Sequence, residues 1–561
     1  MDTAIRKNRT IRLMLAFLVF AACAFAANPK ISRDLQKADI TSTADVIVVY
    51  KEMPTARHHE MVARHGGVLK RGLPLIKAGH YSIPVSALED LAAEPEVDFI
   101  APNRKVRVMD DNSNEAVNAL AAWSANDTGN GIGVAVIDSG ITTNADLSSS
   151  AIAYSLFWVG NNAQDAYGHG THVAGIIAGT GATSHCTACT RNLQGISTGV
   201  HFMNFRVLDQ NGEGTDSDVI SAISNAIGLK VQYNIRVINL SLGRPVFETY
   251  QQDPLCHAVE AAWQQGLVVV VAAGNDGRDN SKGTYGYGTI TAPGNDPYVI
   301  TVGAMKSMGT YSRTDDRVAS YSAKGPTVID HIVKPDLVAP GNLVVSLNVT
   351  GSTLATQYPG NVVQNSYFQT GAPAGSKSGV YFTLSGTSMA TPVVTGAAVL
   401  LLQQNPNLTP DQVKAKLMMS AYKTFPASSV AMDPTTGQSY TSYYDPFTVG
   451  AGYLDVQAAL ADKTVFNGTA MSPVAQVTNK QVGLVCSSTS VCSTLPVNGS
   501  KSLWGSNSLW GSSSLWGSSS LWGSSSLWGS TSLWGSTSLW GSAADTSEGV
   551  EPTAILMNGE N

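Results

Sequence analysis

Four short stretches of the chain place polar side chains where chemistry could use them. In Gly131-Ile132-Gly133-Val134-Ala135-Val136-Ile137-Asp138-Ser139-Gly140, an apolar run ends in a carboxylate at a turn, a position from which an acid can orient a histidine. In His169-Gly170-Thr171-His172-Val173-Ala174-Gly175, small residues let a helix start close against other backbone. His169 stands at its entry, free to face a cleft, whereas His172 falls inside the turn and reads as a core histidine. In Ser385-Gly386-Thr387-Ser388-Met389-Ala390-Thr391-Pro392, Ser388 opens a helix whose free N–H groups and dipole favour negative charge, Gly386 permits a tight approach, and Pro392 is expected near a helix start. In Val268-Val269-Val270-Val271-Ala272-Ala273-Gly274-Asn275, a strand delivers an amide at its end. Taken singly, each has an ordinary explanation as a turn Asp or Asn or an N-cap Ser. Taken together, they supply a nucleophile in Ser388, a base in His169, an orienting acid in Asp138 and an amide donor in Asn275, the set that acyl transfer through a serine requires.

A metal is the competing use of such residues. The i, i+3 spacing of His169 and His172 lacks the acidic neighbour of zinc motifs, and His185-Cys186-x-x-Cys189 is half a zinc site with no second pair, so no metal ligand is assigned.

The elements that must position these groups are legible as an alternation. Between residues 112 and 460, runs rich in β-branched residues at 133–137, 200–207, 236–240, 267–273 and 299–302 alternate with helical patterns at 171–178, 216–227, 254–265 and 388–404. That order predicts an α/β fold built on a doubly wound, mainly parallel sheet covered on both faces, with sites at the carboxyl ends of its strands. Ahead of it, residues 44–107 read as a small α/β unit, with strands at 46–50, 80–84 and 97–101 and helices at 56–65 and 87–93. At 561 residues the chain exceeds one domain, and a net charge of −6 with no basic field excludes nucleic acid as a partner.

The chain order Asp138, His169, Ser388, with His-Gly-Thr-His-Val-Ala-Gly and Gly-Thr-Ser-Met-Ala-Thr-Pro intact, resembles the subtilisin-like serine peptidases over residues 112–460. Ser241-Leu242-Gly243, Val338-Ala339-Pro340-Gly341 and Gly450-Ala451-Gly452-Tyr453 belong to the same likeness. The resemblance implies a serine endopeptidase acting on polypeptides, with Asp138, His169 and Ser388 as its triad and Asn275 with the Ser388 N–H meeting the oxyanion. It implies that Ser241, Leu242 and Gly243 on one side and Gly212 and Gly214 on the other flank the substrate backbone, while Ala273 and Gly274 shape the pocket for the residue before the cut. It implies, too, that the small N-terminal unit is a ferredoxin-like inhibitory propeptide, an intramolecular partner of the enzyme, removed by cleavage near residues 109–112. Catalysis then needs no cofactor. The stretch 182–198 lacks the family's calcium loop, so no motif supports structural calcium, and 351–377 looks like an inserted surface loop near the cleft.

The ends of the chain have their own readings. Arg6, Lys7, Arg9 and Arg12, an apolar stretch over 13–22 and Ala24-Phe25-Ala26 read as a secretory signal, which leaves no membrane span once removed and predicts an extracellular, oxidising setting. There Cys186 with Cys189 and Cys486 with Cys492 could close short loops, leaving Cys256 unpaired. Near the C-terminus, Ser-Leu-Trp-Gly-Ser-x recurs with tryptophans every six residues from Trp504 to Trp540. An even period keeps every Trp on one face of an extended strand, whereas a helix at about 100° per residue scatters them. The expected organisation is a signal at 1–26, a propeptide at 27–111, a peptidase domain at 112–465, a linker at 466–501, repeats at 502–542 and a tail at 543–561. The rival function is that of a surface or carbohydrate-adhesion protein working through the tryptophan repeats.

Overall fold

The computed structural model describes residues 28–32, 35–74, 77–102, 112–281, 283–433, 437–478, 481–490, 557 and 559–560. The stretch read as a secretory signal, the region around 103–111, the repeats and Cys492 lie outside the described residues. The chain divides into two units, Met1–Arg107 and Val108–Asn561.

In the first unit, strands β1 (Thr43–Tyr50), β2 (Val68–Leu73), β3 (Ala78–Pro84) and β4 (Val97–Pro102) and helices α1 (Ala56–Arg64) and α2 (Leu88–Ala93) follow one another as βαββαβ. The sheet order is β2-β3-β1-β4 with every pair antiparallel, the ferredoxin-like arrangement expected. The period-two pattern of β1 buries Val46, Val48 and Tyr50, and β3 answers with Tyr81 and Ile83. The two tyrosine hydroxyls satisfy each other at 2.7 Å. Strand β2 was absent from the sequence reading because it is an edge strand with five of its six residues exposed, so no hydrophobic alternation betrays it.

The second unit is built on an eight-stranded sheet. Its strands are β5 (Gly133–Asp138), β6 (Ile152–Phe157), β7 (His201–Arg206), β8 (Ile235–Leu240), β9 (Val268–Ala272), β10 (Ile300–Lys306), β11 (Arg317–Val318) and β12 (Leu337–Pro340). They run in the order β11-β10-β9-β8-β5-β7-β6, with β12 also beside β10, and every pair is parallel except β10 with β11. The chain leaves β5 towards β6 and β7 and returns to its other side at β8, so the strand order reverses at β5, where sheets of this kind open a crevice at their carboxyl ends. Helices α3 (His169–Ala178), α4 (Asp216–Leu229), α5 (Pro254–Gln264) and α6 (Thr387–Gln404) cover the sheet, α3 packing with α6 and α4 with α5. Helix α6 is buried on nearly every side, as a helix spanning the middle of a core must be.

Two expectations are corrected here. Pro392 lies inside α6 rather than at its start. The helix tolerates it because the Ser388 carbonyl, which would have bonded to the N–H that proline lacks, accepts the Ser241 hydroxyl at 2.8 Å instead. The stretch 351–377 is folded rather than a bare loop: a short helix Thr353–Gln357 and strand β14 (Val362–Gln364) join β13 (Val344–Leu347) and β15 (Lys377–Leu384) in a three-stranded sheet, with Leu354, Val363 and Phe368 buried. Cys186 and Cys189 form a disulfide, and Cys256 is free and buried.

Asp336 is wholly buried between Lys334 at 2.8 Å and Lys414 at 3.1 Å, and also accepts the Thr301 N–H and the Ser472 hydroxyl. Burial opposes its charge, but the two ammonium groups overcome that and hold its carboxyl below the ordinary range. Asp336→Ala, by leaving two lysines buried without their shared anion, is expected to destabilise the domain by about 3–5 kcal/mol, read as a lowered denaturation midpoint.

Candidate active site

Asp138 is the last residue of β5 and is fully buried. Its Oδ1 accepts the Ser139 N–H at 2.7 Å and meets His169 Nδ1 at 2.8 Å. A carboxylate can only accept, so Nδ1 carries the hydrogen and Nε2 is left as the basic nitrogen. Burial opposes a charge on His169, but Asp138 beside it, with Asp165 behind, overcomes this and raises the imidazole above its usual pKa. Among the described residues, the one ion pair of Asp138 is with His169, so an imidazolium formed there has this carboxylate as its counter-ion.

The approach of α3 to the end of β5 needs Gly170: a Cβ there would lie 2.3 Å from the Gly140 carbonyl oxygen and 3.1 Å from Asp138 Cβ. Asp165 fixes the helix start. Its Oδ1 accepts the Gly168 N–H at 2.7 Å and the Ser139 hydroxyl at 2.8 Å, and its Oδ2 accepts the Thr171 N–H at 2.8 Å. The Ser139 hydroxyl in turn accepts the Gly170 N–H at 2.9 Å. Sequence reasoning missed both positioning residues, although an Asp just ahead of a helix is an N-cap signal that could have found the first. His172 is the core histidine expected: its Nε2 lies 3.2 and 3.1 Å from the Val344 and Phe382 carbonyls, and burial, with His169 nearby, pushes its pKa down to about 3.

Ser388 is the second residue of α6, half-buried, reached through Gly386 at φ +146°, a conformation side chains rarely adopt. Its hydroxyl donates to the Ser241 carbonyl at 3.1 Å rather than to His169. Asn275 follows β9, and its Oδ1 accepts the Thr387 N–H at 2.9 Å. An N–H bonds only to the amide oxygen, so this contact decides which way the amide points and leaves Nδ2 as the outward donor, beside Gly386. Thr387, also unforeseen, locks the two loops together: its hydroxyl accepts the Gly274 N–H at 3.1 Å.

The residues expected to flank a substrate are distributed around these groups. Ser241, Leu242 and Gly243 follow directly on β8, with the Ser241 carbonyl beside Ser388. Gly212 sits in a turn closed by its N–H on the Asp209 carbonyl at 3.2 Å and packs close to Tyr167, whose ring centroid is 6.4 Å from that of His169; Gly214 lies close against the Val207 carbonyl, 2.4 Å from where a Cβ would sit. Ala273 is buried with Ile290 and Ala323, and Gly274 turns the chain towards Asn275. Among the described residues, no group of three or more His, Cys, Asp or Glu is placed to hold a metal ion, and no helix is long and apolar enough to cross a membrane.

Comparison with known proteins identifies the family. The subtilase family model matches residues 129–452. The chain is 38% identical to the serine protease AprX of Bacillus subtilis over 345 residues, which cover 59% of this chain and 71% of that protein. It is 30% identical to subtilisin J of Geobacillus stearothermophilus over 462 residues, covering 81% of this chain and 99% of the relative. It is 33% identical to an extracellular serine proteinase of a Thermus species over 359 residues, covering 60% and 69%. A doubly wound sheet, strand ends carrying Asp138 and Asn275, and helix starts carrying His169 and Ser388 all fall within the matched span, and the chain belongs to the subtilase family as a subtilisin-like serine endopeptidase.

Proposed function

We propose that this chain is a secreted endopeptidase, made as a self-processed zymogen, that cleaves polypeptides through an acyl-enzyme on Ser388. The observation that carries the proposal is the buried His169 Nδ1 to Asp138 Oδ1 contact at 2.8 Å, which leaves Nε2 as a base at the end of β5, where the strand order reverses. In the reaction the Ser388 hydroxyl leaves the Ser241 carbonyl and donates to that base. Nε2 takes the proton as Oγ attacks the substrate carbonyl carbon, then returns it to the departing amine nitrogen, leaving an ester on Ser388. Water attacks the ester with His169 again as base, and the carboxylic product leaves. Each tetrahedral oxyanion is met by Asn275 Nδ2 and the Ser388 N–H at the start of α6.

Broad specificity follows from Ser241, Leu242, Gly243, Gly212 and Gly214, since backbone pairing binds an extended peptide with little regard to sequence. The N-terminal unit is the propeptide, folded around its own core of Val46, Val48, Tyr81 and Leu91, and it blocks the cleft until cut away. The likeness to an extracellular proteinase and to subtilisins supports secretion.

A fluorophosphonate probe tests the assignment: it should label the enzyme covalently, with the adduct mapping to Ser388, and labelling should fail when the enzyme is heat-denatured before the probe is added. Absence of label on active protein would refute a serine acyl-enzyme. Asn275→Leu, which keeps the side-chain size and removes the donor, is expected to lower kcat roughly 100- to 1000-fold with little change in KM, measured on a peptide anilide.

A further inference from the structure

Beyond the cleft, the peptidase unit holds a buried carboxylate that catalysis does not use. Glu560, 2% exposed, accepts through Oε2 the Ser320 N–H at 2.8 Å, the Ser320 hydroxyl at 2.5 Å and Arg278 Nη2 at 3.3 Å, and its Oε1 lies 3.7 Å from Lys306 Nζ. Its backbone is read as well: the Glu560 N–H donates to Asn342 Oδ1 and Asn342 Nδ2 donates to the Glu560 carbonyl, both at 2.7 Å. Gly559, at φ +59°, leaves no room for a side chain, since a Cβ would lie 2.5 Å from Ser385 Oγ and 2.7 Å from Leu343 Cδ2. Met557 is buried in the main core, with its carbonyl accepting from Asn361 Nδ2.

A buried carboxylate is stable only when charged and polar partners replace water, and here they do so from elements far apart in sequence. Arg278 is itself prearranged, by Ser320 Oγ at 2.8 Å, by Asp433 at 3.0 Å and against the Tyr440 ring at 4.9 Å. We propose that Arg278, Lys306, Ser320 and Asn342 form a recognition site for an acidic peptide segment, filled by the chain's own Gly559-Glu560, and that this segment braces the backbone leading into the nucleophile. The brace is direct. Ser385, which Gly559 abuts, accepts the Leu343 N–H at 2.8 Å, and the next residue, Gly386, bonds to the Gly341 carbonyl at 2.7 Å, two residues ahead of Ser388.

Hydrogen exchange on the full chain carrying Ser388→Ala, which prevents self-digestion, tests this. The Ser320 and Glu560 amides should be protected in that parent. Gly559→Val, which blocks the seat without altering the pocket, should speed exchange at both positions and at Leu343 at least tenfold, while strand β10 keeps its protection. Glu560→Gln, which keeps shape and removes charge, should give a smaller change in the same direction and keeps the reading local if the valine variant loosens the whole unit. A Glu560 amide already unprotected in the parent, or exchange at Ser320 unchanged by both variants, would overturn the proposal.

Discussion

Ser388→Ala is expected to lower kcat by about 10⁶-fold while leaving the denaturation midpoint nearly unchanged; in subtilisin, a relative of this chain, loss of the nucleophile has an effect of that size. The fold should not notice, because the hydroxyl makes one bond, to the Ser241 carbonyl, and the methyl group that remains still fills its place at the start of α6. What is lost is the group proposed to form the ester. The activity that survives, about 10³–10⁴ above water, would be that of the oxyanion site and substrate binding alone. The precursor should also persist at full length. Single-turnover assays on a peptide anilide beside a calorimetric scan check both halves, and a loss smaller than tenfold would place the nucleophile elsewhere.

The second large effect is expected from Asp138→Asn, a loss of about 10⁴-fold in kcat. The amide oxygen can still accept from Ser139 and His169, so the imidazole keeps its place, but the charge that stabilises its protonated form is gone. The pH dependence separates this cause from a structural one. The proposed mechanism uses neutral His169, whose pKa in the native site is raised, so kcat/KM in the parent should fall as pH drops through a value above the ordinary 6.5. Without Asp138 the lowering influence of burial prevails, and the acid limb should move to lower pH. An unmoved limb would mean that Asp138 does not govern His169.

The alternation of β-branched runs with helical patterns made most of the central sheet readable, since parallel strands buried on both faces are continuous apolar runs. Strands β6, β11 and β12 escaped, the first because it alternates between half-buried and exposed at the sheet's edge, the others because two and four residues carry too little pattern. The 351–377 stretch escaped for a different reason: its strand pairs with β15 and its buried residues pack against distant elements, and neither fact has a local signature.

At the site, the sequence by itself singled out the candidates for the proposed chemistry: a strand-end Asp, a helix-entry His, a helix-start Ser and a strand-end Asn are each recognisable from local pattern. Only the tertiary structure decided how they are held. That Asp165 and Ser139 fix the start of α3, that Thr387 sets the direction of the Asn275 amide, that Ser241 satisfies the carbonyl freed by Pro392, and that Glu560 fills a pocket of two cations are contacts between segments far apart in the chain. Local pattern reports backbone propensity and burial, whereas the partner of a buried polar group is fixed only once the whole core has closed around it.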